Sequence, residues 1–291
     1  MAQTIDGRAY AKNLKSSMKD QITKAIKRGV RPPCLATVLI SNDGGSVYYV
    51  NNQRKVCEEM GINFKLLKLD ENTNEEEVLK VIDNLNQDEN VDGIMLQVPL
   101  PKGLNENFIT NRISPEKDVD GLTDLNTGKF YRGEKAFVPC TPRSALELIK
   151  STNCDIKGKK AVVLGRSNIV GKPMFQLLLN ENATVTVCHS KTVNIKEICS
   201  EADILVVAIG KPKFVDNSFV KEGAIVIDVG TSSLDGKICG DVDFDKVYDK
   251  ASYITPVPGG VGALTTTLLV KNTCEAWERN VCKNFNSISI K

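Results

Sequence analysis

The chain has 291 residues, a formal charge of +2, 41% hydrophobic residues and 25% charged residues. Those are the proportions of an ordinary soluble globular protein, with length enough for two domains. So small a charge, without a long Lys/Arg run, does not mark a nucleic-acid binder, and no nucleic-acid partner is expected. The one basic cluster, Lys24 to Arg31, reads as the solvated face and end of a helix.

The first residues lack the apolar stretch of a signal peptide, and no run approaches the roughly 20 apolar residues of a spanning helix. No membrane partner is expected, and the location reads as cytoplasmic. Nine cysteines, an odd number without a CxxC pair, fit reduced thiols better than a disulfide framework. His189 is the single histidine, and the cysteines lack ligand spacing, so no metal is expected. A mechanism needing a histidine base would rest on His189 alone. Cys188 precedes it in an apparent strand, and the two side chains then point to opposite faces.

In chain order, Asp6 to Arg28 predicts an amphipathic helix, with Leu14, Met18, Ile22 and Ile26 at helical spacing and Arg31-Pro32-Pro33 beyond it. Leu35 to Ile40 predicts a strand, and Ser46 to Met60 a helix ended by Gly61. Phe64 to Leu69 is a strand, and Asn74 to Leu85 a helix with acidic residues in its first turn, as the dipole favours. Gly93 to Val98 is a strand running into Pro99-Leu100-Pro101. A second set starts near Thr141-Pro142, read as a capped helix start. Lys160 to Leu164 is a strand and Lys172 to Leu179 a helix. Thr184 to Cys188 is a strand, Ile195 to Ala202 a helix, and Ile204 to Ile209 and Ala224 to Val229 strands. Ala263 to Glu278 predicts the closing helix, followed by a polar tail from Lys283 to Lys291. This alternation implies parallel sheets covered by helices, an α/β fold. The Asp43-Gly44-Gly45 segment reads as a hinge before its helix.

The second set carries a nucleotide-binding signal. The strand to Leu164 runs directly into Gly165-Arg166-Ser167-Asn168-Ile169-Val170-Gly171-Lys172-Pro173. Glycines let a backbone approach a pyrophosphate, and the N–H groups of a starting helix face its charge. The spacing is neither GxGxxG nor a P-loop, so a plain strand-to-helix turn stays open at this point. The next strand ends in His189-Ser190-Lys191, without the acid that binds the ribose of NAD. Arg166, Ser190 and Lys191 favour the 2′-phosphate of NADP; the bland alternative is three solvated polar residues. Ala208-Ile209-Gly210-Lys211-Pro212 and Asp228-Val229-Gly230-Thr231 end later strands at the same carboxyl edge, where ligands of open sheets bind.

Five segments together resemble the methylenetetrahydrofolate dehydrogenase/cyclohydrolase family. They are Gly165 to Pro173, Pro139-Cys140-Thr141-Pro142, Thr255-Pro256-Val257-Pro258-Gly259-Gly260-Val261-Gly262, Val91 to Pro101, and Lys117-Asp118-Val119-Asp120-Gly121. The resemblance covers about residues 1 to 280 in order. It implies two three-layer α/β domains, the second a Rossmann-type NAD(P)-binding domain, with an active-site cleft between them. A folate-binding catalytic domain would span 1–140, completed by the helix 263–291, and the Rossmann domain 141–262. It also implies a homodimer acting on tetrahydrofolate derivatives: oxidation of 5,10-methylene-tetrahydrofolate to the methenyl form, then hydrolysis to 10-formyl-tetrahydrofolate.

Carried over residue by residue, Tyr49 would stack on the aminobenzoate ring of the folate. Gln97 would lie near the reacting carbon, and Asp120 would bind the pterin edge. Pro258, Gly259 and Gly260 join the substrate set. The cofactor set is Gly165, Arg166, Ser167, Ile169, Val170, Gly171, Ser190, Lys191, Gly210 and Thr231. Taken singly, Tyr49 also reads as a packing aromatic, Gln97 as a strand-end polar residue and Asp120 as a turn former.

Two departures stand out. The family's Tyr-x-x-x-Lys becomes Tyr49-x-x-x-Gln53 here, with the register held by Arg54-Lys55-Val56-Cys57. Lys55 lies about 200° from Gln53 around the helix and cannot take its place. Loss of hydride needs alignment only, whereas hydrolysis needs a group that exchanges protons. Gln53 therefore implies a dehydrogenase with weak or lost cyclohydrolase activity. The second departure is Ala263, where the family usually has proline, expected to loosen the adjoining loop. Two alternatives stay open: a fully bifunctional enzyme, and a non-catalytic sensor of NADP or folate. A hydroxy-acid dehydrogenase is disfavoured, because it would need a base where His189 is badly placed.

Overall fold

The structure is a computed structural model that describes residues 1–234 and 236–284, with side chains described through Val281. It falls into two compact units, one of Asn13–Val138 with the chain from Thr266 onward, the other of Met1–Lys12 with Pro139–Thr265. In chain order the elements to residue 131 are β1 (Gln3–Thr4), α1 (Gly7–Lys27), β2 (Cys34–Leu39), α2 (Gly44–Met60), β3 (Asn63–Lys68), α3 (Glu75–Gln87), β4 (Gly93–Leu96), α4 (Glu106–Thr110) and α5 (Asp124–Tyr131). Then follow α6 (Cys140–Ser151), β5 (Lys160–Leu164), α7 (Gly171–Asn180), β6 (Thr184–Cys188), α8 (Ile195–Ser200), β7 (Ile204–Val207), a 3-10 turn at Asn217–Phe219, β8 (Ile225–Asp228), β9 (Ser232–Leu234), β10 (Lys237–Cys239), α9 (Phe244–Tyr248), β11 (Tyr253–Ile254) and α10 (Val261–Asn284). The expected polar tail lies outside the described residues beyond Asn284.

The first unit is built on a parallel sheet of order β3-β2-β4. Every residue of β2 is buried, as a central parallel strand covered on both faces requires. Its even-numbered side chains, Cys34, Ala36 and Val38, pack with Ile94 and Leu96 of β4 and with Val78, Ile82 and Leu85 of α3. The odd-numbered side chains face the other way, among them the fully buried Thr37. Local chemistry sets the helix ends. Asp43 caps α2 by accepting from the N–H groups of Gly45 and Ser46, and Gly61 ends it with φ of 72°. Lys117 donates to the carbonyls of Leu85, Asn86 and Asp88 where α3 runs out of partners.

An ion pair between a buried carboxylate and a half-buried guanidinium anchors the same unit. Arg31 meets Asp92 through two bonds of 2.7 Å, and the Asp92 carboxylate also accepts from the Cys34 N–H and the Asn280 amide. The indole of Trp277 donates to the Arg31 carbonyl. The last helix is thereby fastened to the start of β2 within one unit.

The second unit carries an all-parallel six-stranded sheet, β1-β11-β8-β7-β5-β6, with a separate β9–β10 hairpin. The chain steps outward from β5 to β6, then crosses back to β7, so the order reverses at β5. Val162, Leu164, Leu205, Val207, Val226 and Ile254 pack on one face with Cys199, Val220 and Val247. Residues 1–12, expected in the first domain, belong here because Gln3 and Thr4 pair with Tyr253 and Ile254. Strands of two residues leave no periodicity to read. The helix expected to start with a Thr141 cap begins at Cys140 after Pro139, with no side-chain cap.

Asp92→Ala removes an acceptor of bonds from three residues and strands Arg31. It is expected to lower the unfolding free energy by about 2–4 kcal/mol, read from urea titrations. An unchanged midpoint would show that the cluster is not an anchor.

Candidate active site

Four polar residues of the first unit converge by secondary structure. Tyr49 and Gln53 lie one turn apart on α2, hence on one face. The Gln53 side chain is buried, 2% exposed, and its Oε1 accepts from the Thr37 hydroxyl at 2.8 Å. Thr37 pairs with Met95, and the Gln97 N–H donates to the Val38 carbonyl at 2.9 Å. By the alternation of a parallel pair, Gln97 follows Thr37 and Met95 on the α2 side of the sheet. Gln97 Nε2 donates to the Val98 carbonyl, and Gln97 Oε1 is buried without a hydrogen-bond partner.

Asp120 sits in a segment held from both ends. The Ile94 N–H donates to the Lys117 carbonyl at 2.7 Å, and Asn272 of α10 donates to the Val119 carbonyl at 2.7 Å. The Asp118 carboxylate accepts from the N–H groups of Leu122 and Thr123, the Thr123 hydroxyl and the Asn126 amide. Gly121 adopts φ of +65°, and a Cβ there would strike the Phe137 carbonyl. Burial pushes the Tyr49 phenol above its ordinary pKa, and the charge of Asp120 acts in the same direction. Tyr49 therefore stays a neutral phenol near neutral pH, an aromatic face and a hydrogen-bonding tip rather than a base.

In the second unit, the carboxyl ends of β5, β6 and β7 surround a cavity of about 250 Å³ lined by Gly165, Arg166, His189, Ser190, Ile209, Lys211 and Phe214 among others. It lies where the strand order reverses, the position at which open α/β sheets bind ligands. Gly165, at φ of +133°, leaves no space for a Cβ against the Ala208 carbonyl, and Gly171 none against the Gly165 carbonyl. The Ser167 hydroxyl accepts from the N–H groups of Val170 and Gly171 at 3.1 and 3.3 Å. It thus shapes the turn that Ile169 and Val170 complete before α7. Of the three residues expected to read a 2′-phosphate, Arg166 and Ser190 line the cavity and Lys191 does not. The Lys191 N–H instead donates to His189 Nδ1. His189 and Lys211, from the strand ends flagged in the sequence, also line it, as does Phe214, which no local signal marks. Lys211 lies 5.3 Å from the Phe214 ring centroid, a cation–π pairing.

Gly210 and Thr231 are exposed where β7 and β8 end. Pro258, Gly259 and Gly260 form the loop before α10, against which Gly7 packs so closely that a Cβ would meet the Gly260 carbonyl. The Ala263 N–H donates to the Gly260 carbonyl at 3.1 Å. Proline at that position has no N–H, so alanine adds a tie to this loop instead of loosening it. No cluster suited to a metal ion occurs among the described residues, and none of their helices is long and apolar enough to cross a membrane.

Fold and cavity define a two-unit α/β protein whose second unit is of the nucleotide-binding class. The chain matches the tetrahydrofolate dehydrogenase/cyclohydrolase catalytic domain over residues 5–120 and the NAD(P)-binding domain of the same name over residues 139–281; it belongs to that enzyme family. It is 57% identical over 278 residues to the bifunctional protein FolD of Clostridium tetani, covering 96% of this chain and 100% of that one. The bifunctional FolD enzyme of Campylobacter jejuni superposes with a TM-score of 0.93 at 41% identity, covering 96% and 99% of the two chains. The Trypanosoma brucei N5,N10-methylenetetrahydrofolate dehydrogenase-cyclohydrolase, solved with NADP and an inhibitor, superposes at 0.92 with 38% identity, covering 96% and 98%.

Asp228, at the end of β8, gives a pH signature to the cavity-bearing unit. Burial pushes its carboxyl up from 3.8 to about 7, and the charge of Asp241, which faces it, adds to that rise against three backbone N–H bonds. With the folded value raised, its stabilising contribution is complete below about pH 4 and is lost as pH rises through 7. Unfolding free energy should therefore carry a falling component across that window, at most about 4 kcal/mol. Asp228→Asn should flatten the slope between urea midpoints at pH 5 and pH 7, whatever its absolute stability. An unaltered slope rules the assignment out.

Proposed function

We propose that the protein oxidises 5,10-methylene-tetrahydrofolate to 5,10-methenyl-tetrahydrofolate with NADP, and that its cyclohydrolase activity is weak or lost. The family match across both units supports the first part. Gln53, in the position where the resemblance expects lysine, carries the second.

NADP, when bound, supplies the nicotinamide that accepts hydride. The chain supplies placement. The Gly165–Gly171 turn admits the pyrophosphate to the backbone. Arg166, Ser190 and Lys191 meet the 2′-phosphate, with Lys211 on the same wall. Tyr49 stacks on the aminobenzoate ring, Asp120 holds the N–H edge of the pterin, and the unpartnered Gln97 Oε1 offers an acceptor near the reacting carbon. Pro258, Gly259 and Gly260 complete the substrate set. Alignment is the whole requirement for loss of hydride, because the adjacent folate nitrogen stabilises the cation that forms.

Hydrolysis of the methenyl product asks for more. A water must lose a proton and a ring nitrogen must gain one. A carboxamide at position 53, tied to Thr37, exchanges no proton near neutral pH, and Tyr49 is held neutral. The relatives named bifunctional favour a second reading, in which Gln53 or Gln97 positions the water and another group carries the proton. The proposal also includes a homodimer through the second unit, whose sheet ends at β6 with an edge open to a second copy. It includes a cytoplasmic location, which suits the eight free cysteines among the described residues.

Purified protein given methylene-tetrahydrofolate and NADP should form NADPH, yet hydrolyse methenyl-tetrahydrofolate no faster than the spontaneous background. Gln53→Lys should then raise hydrolysis by about tenfold or more. Fast hydrolysis by the unaltered protein defeats the second half of the proposal, and absence of NADPH formation defeats the first. Arg166→Ala should raise KM for NADP about tenfold while leaving KM for NAD in place; equal loss for both cofactors would remove Arg166 from 2′-phosphate recognition.

A further inference from the structure

The wall of the cavity formed after β7 has no ladder partner of its own. β7 ends at Val207, and the N–H groups of Ile209 and Gly210 point away from any strand. Both are taken by one atom, Asp241 Oδ2, at 2.7 and 2.9 Å. Asp241 comes from the segment following the β9–β10 hairpin and is 0% exposed. Its other oxygen, Oδ1, is buried without a hydrogen-bond partner. A buried carboxylate with one idle oxygen is costly, so its two short bonds to the Ile209–Gly210 turn are what the fold gains by keeping it there.

Asp241 is itself held. Asp228 Oδ1 accepts the Gly230 and Asp241 N–H groups at 2.9 and 3.1 Å, and Asp228 Oδ2 accepts the Val242 N–H at 2.9 Å. Packing around the two carboxyls is close: a Cβ at Gly230 would overlap the Asp241 carboxylate, and one at Gly240 would overlap that of Asp228. The backbone of Gly230 and Gly240 thus walls the two carboxyls closely on those sides. Ile209 and Lys211, on either side of the Gly210 bond, both line the cavity.

We infer that Asp241 is a positioning residue for the nucleotide: buried and locked by Asp228, it fixes the Ile209–Gly210 turn in the shape that receives the cofactor before the cofactor arrives. It touches no cofactor atom in this scheme and acts through backbone N–H groups alone. The inference rests on the reading that this cavity takes NADP. A preformed wall spares binding the cost of ordering it, so loss of the clamp falls on cofactor affinity and leaves folate recognition alone.

The test is NADPH affinity of the full-length protein, followed by cofactor fluorescence, alongside separate KM values for NADP and methylene-tetrahydrofolate. Asp241→Ala is expected to weaken NADPH binding and raise KM for NADP by about tenfold, with KM for the folate little changed. Asp241→Asn, which keeps an acceptor for both N–H groups, is expected to restore most of the affinity. A merely structural role would lower the melting temperature of the Ala variant and leave the affinity of its folded fraction intact, and that result overturns the inference. Should the Ala variant not fold, amide exchange in the wild type decides. Ile209 and Gly210 should exchange at least about a hundredfold slower than free amides before any NADPH is added; exchange near the free rate refutes a preformed turn. Failure of the wild type to bind NADPH would instead condemn the NADP reading.

Discussion

The nucleotide half of the molecule depends on a steric constraint at the end of β5. Three stretches of backbone converge there with no room for side chains: Gly165 lies against the Ala208 carbonyl, and Gly171 against the Gly165 carbonyl. Only glycine allows the first of these turns its φ of +133°. The approach brings the start of α7 and the exit of β7 to one point, so the cavity walls are set by main chain. Such walls are stiff, and they can meet a phosphate with N–H groups rather than with long, mobile side chains. The buried aspartates extend the same logic one strand further, tying the exits of β7 and β8 together through backbone donors that the sheet leaves unused.

The other unit solves a different problem, because its polar side chains must be presented from a short sheet. β4 has four residues and cannot hold Gln97 and Asp120 by ladder bonds alone. Its edge is completed by the Lys117–Asp118 segment, through the Ile94–Asp118 bridge, and α10 closes over it. Gly93 is pressed between Val119 and Thr273, and Asn272 holds the Val119 carbonyl. The last helix therefore contributes geometry more than chemistry: it fixes the backbone on which Asp120 stands.

Much of this was legible before the fold was known, and the boundary of legibility has physical causes. β5 and β6 read residue for residue, since the first is a short apolar run and the second a β-branched one, each closed by a turn. β1 and β11, of two residues each, carry no period, so the pairing of the N-terminal segment with the second sheet has no sequence signal. The Gly165–Gly171 turn announced itself through its glycines. Phe214 did not, because an exposed residue of a loop becomes a wall only when strand order brings it beside β5. Asp241 was invisible for a similar reason: its partner Ile209 is 32 positions away, with a hairpin in between. Thr37 sat inside an apolar run, and nothing local marks it as the residue that orients Gln53.

Thr37 also bears on the proposed exchange of lysine for Gln53. A threonine hydroxyl both donates and accepts. It donates to Gln53 Oε1 here, and by rotating it would accept from an ammonium in the same place. The hydroxyl can thus meet either side chain, although a buried ammonium costs more desolvation than a carboxamide. On the proposed reading the exchange is not neutral for chemistry. Loss of hydride asks for alignment, a matter of shape, whereas hydrolysis asks for a group that exchanges a proton. One substitution would then separate the two reactions, because the first draws on shape and the second on acidity.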